Sequence, residues 1–168
     1  LRQTNTPAFK QWFGKSKVAG SDGKPTVVYT GTSKDVDFST FKVPKSGVWF
    51  TESQEGASQY ALENDSMTIK TEDYRTFQEI NTASRVIPAY LRIDNPAKLS
   101  KEESDSIRYA KNYRKAQGDL FDRLRSRGHD GVEIGDGTWV VLKSPNQIKS
   151  AIGNTGEFSA VKSDIRYS

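Results

Sequence analysis

The stretch TVVYTGTSKD, residues 26–35, runs from a β-branched apolar segment into Gly31, which is set between Thr30 and Thr32. A second apolar run, GVWFT at 47–51, also closes on a hydroxyl, and Tyr60 follows within SQYA. Glycine at a strand end lets a ligand approach the main chain, whose N–H and C=O can pair with an amide. Aromatic rings close by can sandwich a flat group. The chemistry this suggests is docking of a planar, amide-bearing ligand. Core packing competes for the same rings of Trp49 and Tyr60, since most aromatic side chains are buried.

Other chemistries are excluded by residue type. With no Cys and a single His, His129, the chain offers no disulfide, no thiol nucleophile, no zinc cluster and no His-pair metal site. No glycine-rich dinucleotide fingerprint follows a strand, and neither a P-loop pattern nor a kinase set is present. A net charge of +4 and a pI near 9.2 suit an anionic ligand or partner. At 34% hydrophobic and 27% charged residues the chain is too core-rich for disorder, and no apolar run reaches membrane-spanning length. Its 168 residues fit a single domain. The opening on Leu1 without a signal pattern leads us to expect a segment of a longer polypeptide.

The elements that must position these residues can be read from periodicity. Phe9, Trp12 and Phe13 predict a short helix over 7–14, capped by Thr6 and ended by Gly14. SDGKP is a turn, VVY a strand, and 32–46 a polar loop anchored by Phe38 and Phe41. After the strand 47–51, Ala57, Tyr60 and Ala61 mark a helical face over 53–63. RVIPAYLRI at 85–93 predicts a strand closed by the turn DNP, and its proline argues for a sheet edge or a bulge. One long helix is expected from Ser100, with Glu103 completing a capping box, to Gly128, with Gly118 as its kink point. Its seven Lys and Arg from Arg108 to Arg127, interleaved with Asp119 and Asp122, suit a solvated face, and nucleic-acid phosphate contact is the alternative. His129 is expected as a cation at the helix end, and Gln147 as a tie within the PNQ turn. Strands GVEI and TWVVL, then a loop or short helix SPNQIKSAIGN, complete an α+β domain with antiparallel or mixed sheets.

YTGTS, GVWFTESQEGASQYA, VIPAYLRIDNP and WVVLKSPNQIKSAIGNTGEFSAVKSDIRYS together resemble, in order and over nearly the whole chain, the ADP-ribosyltransferase domains of phage and mobile-element polyvalent proteins. These are relatives of the diphtheria-toxin and poly(ADP-ribose) polymerase group. The resemblance implies a split pair of sheets around a cleft for NAD, used as co-substrate without a metal. It implies that the backbone of Gly31, with Thr32 beside it, holds the nicotinamide amide. Trp49 and Tyr60 would bracket the ring, with Tyr29, Thr30, Phe50 and Ser58 completing the cofactor-binding set. Ala57 falls where relatives often carry a small hydroxylated residue.

Two positions depart from the family pattern. Thr30 stands where relatives carry the histidine of His-Gly-Thr, and a threonine hydroxyl still offers one bond to a ribose hydroxyl. Thr138 stands where relatives carry a glutamate, the group expected to stabilise positive charge developing at the ribose as the nicotinamide bond breaks. Asp136, on the same strand face if the strand starts early, and Glu133 on the strand before are the candidate replacements. The implied activity is NAD-dependent mono-ADP-ribosyl transfer to a host protein, with nucleic acid as the other acceptor class. It would act as an effector in a bacterial cytoplasm after delivery by a phage or mobile element, with no membrane partner. The alternative is a catalytically degenerate binding module of the same fold.

Overall fold

Seven strands, β1 (Val28–Thr32), β2 (Val48–Thr51), β3 (Arg85–Leu91), β4 (Pro96–Leu99), β5 (Gly131–Ile134), β6 (Thr138–Val141) and β7 (Ile148–Ser150), form one sheet. Its order is β4-β5-β6-β2-β1-β3-β7, with β4 and β5 parallel and every other pair antiparallel. The computed structural model describes residues 3–32, 41–55, 57, 85–135, 137–152, 154–162 and 164–165. Three helices accompany the strands among them: α1 (Pro7–Phe13), α2 (Lys101–Arg108) and α3 (Tyr113–Ser126). The mixed α+β class is as the patterning implies, but the strands belong to one hydrogen-bonded sheet rather than two.

Local signals act as expected at α1, where the Thr6 hydroxyl accepts the Phe9 N–H at 3.1 Å and Gly14, at φ +53°, ends the helix. At α2 the reciprocal bonds of Ser100 and Glu103 form the capping box. Three expectations fail for physical reasons. β3 is neither an edge strand nor bulged, because its five-residue register with β1 is unbroken. Pro88 is tolerated because its missing donor faces β7 beyond that strand's last residue, where the Pro88 carbonyl accepts a terminal bond from the Ala151 N–H at 3.0 Å. The residues after it are more than a turn, since Pro96 opens β4. Proline is accepted at the first residue of a strand.

The expected single long helix is two helices. Between Ile107 and Leu120 the sequence offers no large core side chain, and Tyr109 and Tyr113 are 82% and 42% exposed. The chain therefore leaves the helix at Tyr109 and restarts after Asn112, whose φ of −128° is not helical. Gly118 lies within α3, and an added Cβ there would meet Lys45 Cε at 3.0 Å. It provides room for the Lys45 side chain rather than a kink.

The sheet buries both faces. One face holds Val28, Phe50, Ala89, Leu91, Trp139, Val141 and Ile148, closed over by Val18, Phe41, Ile93 and Ile165. On the other, α3 presents Phe121 and Leu124 to Val132, Ile134 and Val140 at the β5/β6 end. At the opposite end of that face, α1 packs Phe9, Trp12 and Phe13 on Tyr90 of β3 and on Phe158.

Candidate functional site

Backbone direction distinguishes the two edges of β1. Residue by residue, Val28 to Thr32 pair with Ala89 to Arg85 of β3, whereas β2 contributes one registered pair, Tyr29 with Thr51. The N–H and C=O of a strand residue point to the same side, and successive residues alternate. Because the Pro88 carbonyl faces β7, Arg85, Ile87 and Ala89 face β1, and their partners Val28, Thr30 and Thr32 face β3. Tyr29 and Gly31 must then face β2. Tyr29 is met there by Thr51, but no registered pair is formed at Gly31. Its donor and acceptor point side by side toward β2, with no registered partner there among the described residues.

Side-chain alternation gathers the candidates on one face. Tyr29, Thr51 and Thr138 lie in register across β1, β2 and β6, with Gly31 and Trp49 one step along the same face. All five are half-buried, while the alternating residues Val28, Thr30, Phe50 and Trp139 are buried on the other side. Among the described residues this row lies between the α1 cluster and the α3 cluster, so the helices flank the seam.

Trp49 is held firmly. Its Nε1 donates to the Ser46 carbonyl at 2.8 Å, and its ring centre is 6.1 Å from that of Phe121. The turn before it is fastened to α3 by Arg125, which donates to the carbonyls of Leu142 at 2.7 Å, Pro44 at 3.1 Å and Lys45 at 3.0 Å. Arg125 also pairs with Asp122 at 2.9 Å, and Lys45 reaches Asp122 at 3.2 Å and Asp119 at 3.4 Å. These carboxylates, Asp122 first, raise the Lys45 pKa, while Lys115 holds Asp119 below its usual range. Gly47, at φ +70°, completes the turn. A Cβ there would fall 2.4 Å from Val140 Cγ1.

The remaining candidates separate by position. Thr30, 7% exposed, and Phe50, 2% exposed with its ring 6.0 Å from Phe41, are part of the opposite core face. Glu133 opposes Trp139 and so shares that face, on a strand separated from β2 by β6, about 10 Å away. Thr138 is in the half-buried row. Ser58, Tyr60, Asp136, Phe38 and the side chain of Thr32 lie outside the described residues, as does the expected helix beyond Ala57. Ala57 itself is buried, and its N–H bonds to the Ser53 carbonyl at 3.1 Å.

One acid beside the end of β2 was missed in the sequence. Glu52 continues β2, its N–H donating to the Gly137 carbonyl at 2.8 Å, and its Oε1 accepts the Trp139 Nε1 at 3.2 Å. The contact with Trp139 puts its carboxylate on the core face, away from Thr138. Strand parity from Phe50 was the available signal. Gln147 ties its turn as expected, accepting the N–H groups of Lys143 and Ser144 and donating to the carbonyls of Arg92 and Asp130. The His129 Nδ1 lies 3.1 Å from the Asn95 carbonyl, which tethers the helix exit to the start of β4. No group of acids and His suited to a metal occurs among the described residues.

The family model described as ADP-ribosyltransferase in polyvalent proteins matches residues 20–158. No curated protein and no solved structure gives a match.

Proposed function

The chain belongs to the ADP-ribosyltransferases of polyvalent proteins, and from that premise we propose that it transfers one ADP-ribosyl group from NAD to a host macromolecule, a protein in the first instance. The observation that carries the proposal is the seam at Gly31, whose main-chain groups face β2 without a registered pair there among the described residues. A carboxamide offers the complementary acceptor and donor, so the residues present fit the nicotinamide end of NAD. Bound there, NAD supplies the ADP-ribosyl group and leaves nicotinamide.

Gly31 orients the amide, and Trp49, fixed by Phe121 and Ser46, offers an aromatic surface beside it, with Tyr60 as its proposed opposite number. Thr138 can give or take a single hydrogen bond at a ribose hydroxyl but supplies no charge. We assign the stabilising carboxylate to Asp136, two residues before Thr138 in the sequence, and not to Glu133 across the sheet. The buried Thr30 and Phe50 side chains take no part in this assignment.

A second outcome, NAD binding without transfer, is favoured by one observation. Among the described residues no carboxylate stands beside Thr138 on its face. Incubation with labelled NAD and a bacterial lysate, with nicotinamide release followed in parallel, separates the two. Label transfer lost in Tyr60→Ala and Asp136→Asn supports the transferase. Binding of NAD without release of nicotinamide supports the silent module, and absence of binding removes both.

A further inference from the structure

The break between α2 and α3 lies within a basic, aromatic surface segment. RYAKNYRK, residues 108–115, carries Arg108, Lys111, Arg114 and Lys115 with no acid. It also carries Tyr109 and Tyr113, two of the four exposed large hydrophobic side chains among the described residues. Elsewhere on α3, Lys115 pairs with Asp119 at 2.9 Å and Arg125 with Asp122, while among the described residues Arg123 stands alone without an exposed ring beside it. Arg108, Lys111 and Arg114 form no ion pair among the described residues. The Arg114 Nε donates to the Tyr113 hydroxyl at 3.2 Å, and its guanidinium carbon lies 5.8 Å from the ring centre, so cation and ring form one unit.

Unmatched cations beside solvent-facing rings are the two elements of a single-strand platform. The cations hold the phosphates, and the rings take unstacked bases. A duplex keeps its bases stacked and cannot use the rings, and an acidic protein segment would use only the charges. The surface also adjoins the seam. Ile107, just before it, and Gln117, just after, line a small cavity together with Trp49 and Phe121. We propose that residues 108–115 are a docking site for single-stranded nucleic acid, next to the Gly31 seam and independent of NAD.

The test uses fluorescence anisotropy with a labelled oligothymidylate 12-mer, without NAD, so that failure of the transferase assignment leaves it intact. Three phosphate contacts predict that raising salt from 50 to 200 mM weakens binding about 20-fold. Y109A/Y113A should lose about tenfold per ring, while Y109F/Y113F keeps the affinity and both keep the wild-type melting temperature. The proposal is overturned if the wild type does not bind or if Y109A/Y113A binds as well as wild type. It is equally overturned if a duplex or polyglutamate binds as tightly as the single strand.

Discussion

The two edges of β1 differ more than any other neighbouring parts of the sheet. Toward β3 the strand is paired at all five residues, and toward β2 at one. The closed edge stands on the side of the core that includes Val28, Ala89 and Leu91, each with no exposed surface. At the open edge the residues Tyr29, Gly31 and Trp49 are only half-buried, and β2 takes its pairing from β6 instead. A sheet that closes wherever its apolar residues allow, and stops at a glycine, leaves main-chain hydrogen-bonding capacity where a ligand can use it. The fold is stabilised by the closed edge, and the less paired one is where we place the ligand.

Breaking the closed edge should have the largest effect on stability. Leu91→Ala is expected to cost about 2–5 kcal/mol in denaturant unfolding, because the vacated volume lies in a fully packed core. The converse substitution sharpens the contrast. Gly31→Val puts a branched side chain into the row beside Trp49, displacing a ligand held by the main chain, and should lower label transfer from NAD by about 100-fold with little change in unfolding midpoint. Next comes the clamp that fixes Trp49 from a distance. Arg125→Met removes charge-assisted bonds to three carbonyls and should cost about 1.5–3 kcal/mol in stability while weakening NAD binding measured by calorimetry.

A different kind of effect, read as a dependence on pH, is expected at β7, beyond the closed edge. Lys149 is fully buried, its Nζ donating to the Lys162 carbonyl at 2.8 Å, and burial pulls its pKa down to about 8 against a partial opposing pull from Asp164. Between about pH 8 and 10.5 the unfolded chain holds a proton on this lysine that the folded chain has released. Its contribution to stability therefore rises with pH across that window, and the destabilisation is complete below it. The melting temperature of wild type relative to that of Lys149→Met, measured from pH 7 to 10.5, should rise through this interval. A constant difference would show that Lys149 does not titrate there.

Much of this architecture is legible in local sequence. The cap at Thr6, the box at Ser100 and Glu103, and the hairpin strands at 131–134 and 138–141 follow from interactions within a few residues. What escapes is set at longer range. Pro88 reads as an edge residue because the length of β7, 60 residues later, decides whether its missing N–H matters. The break at Tyr109 depends on what α2 and α3 each have to bury, and β4 depends on a parallel partner that arrives 35 positions after Pro96. For the site, residue types pointed to Gly31 and Trp49, but not to the face each side chain occupies. Register supplies that, moving Thr30 and Phe50 into the core and bringing Thr138 beside Thr51.

The open seam can be tested directly by amide hydrogen exchange at Gly31 and Thr30. The Thr30 N–H faces β3 and should be strongly protected, whereas the Gly31 N–H should exchange much faster in the free protein and slow on addition of NAD. Equal protection of the two amides without NAD, or a Gly31 rate that saturating NAD leaves unchanged, would contradict the assignment of this seam as the nicotinamide site.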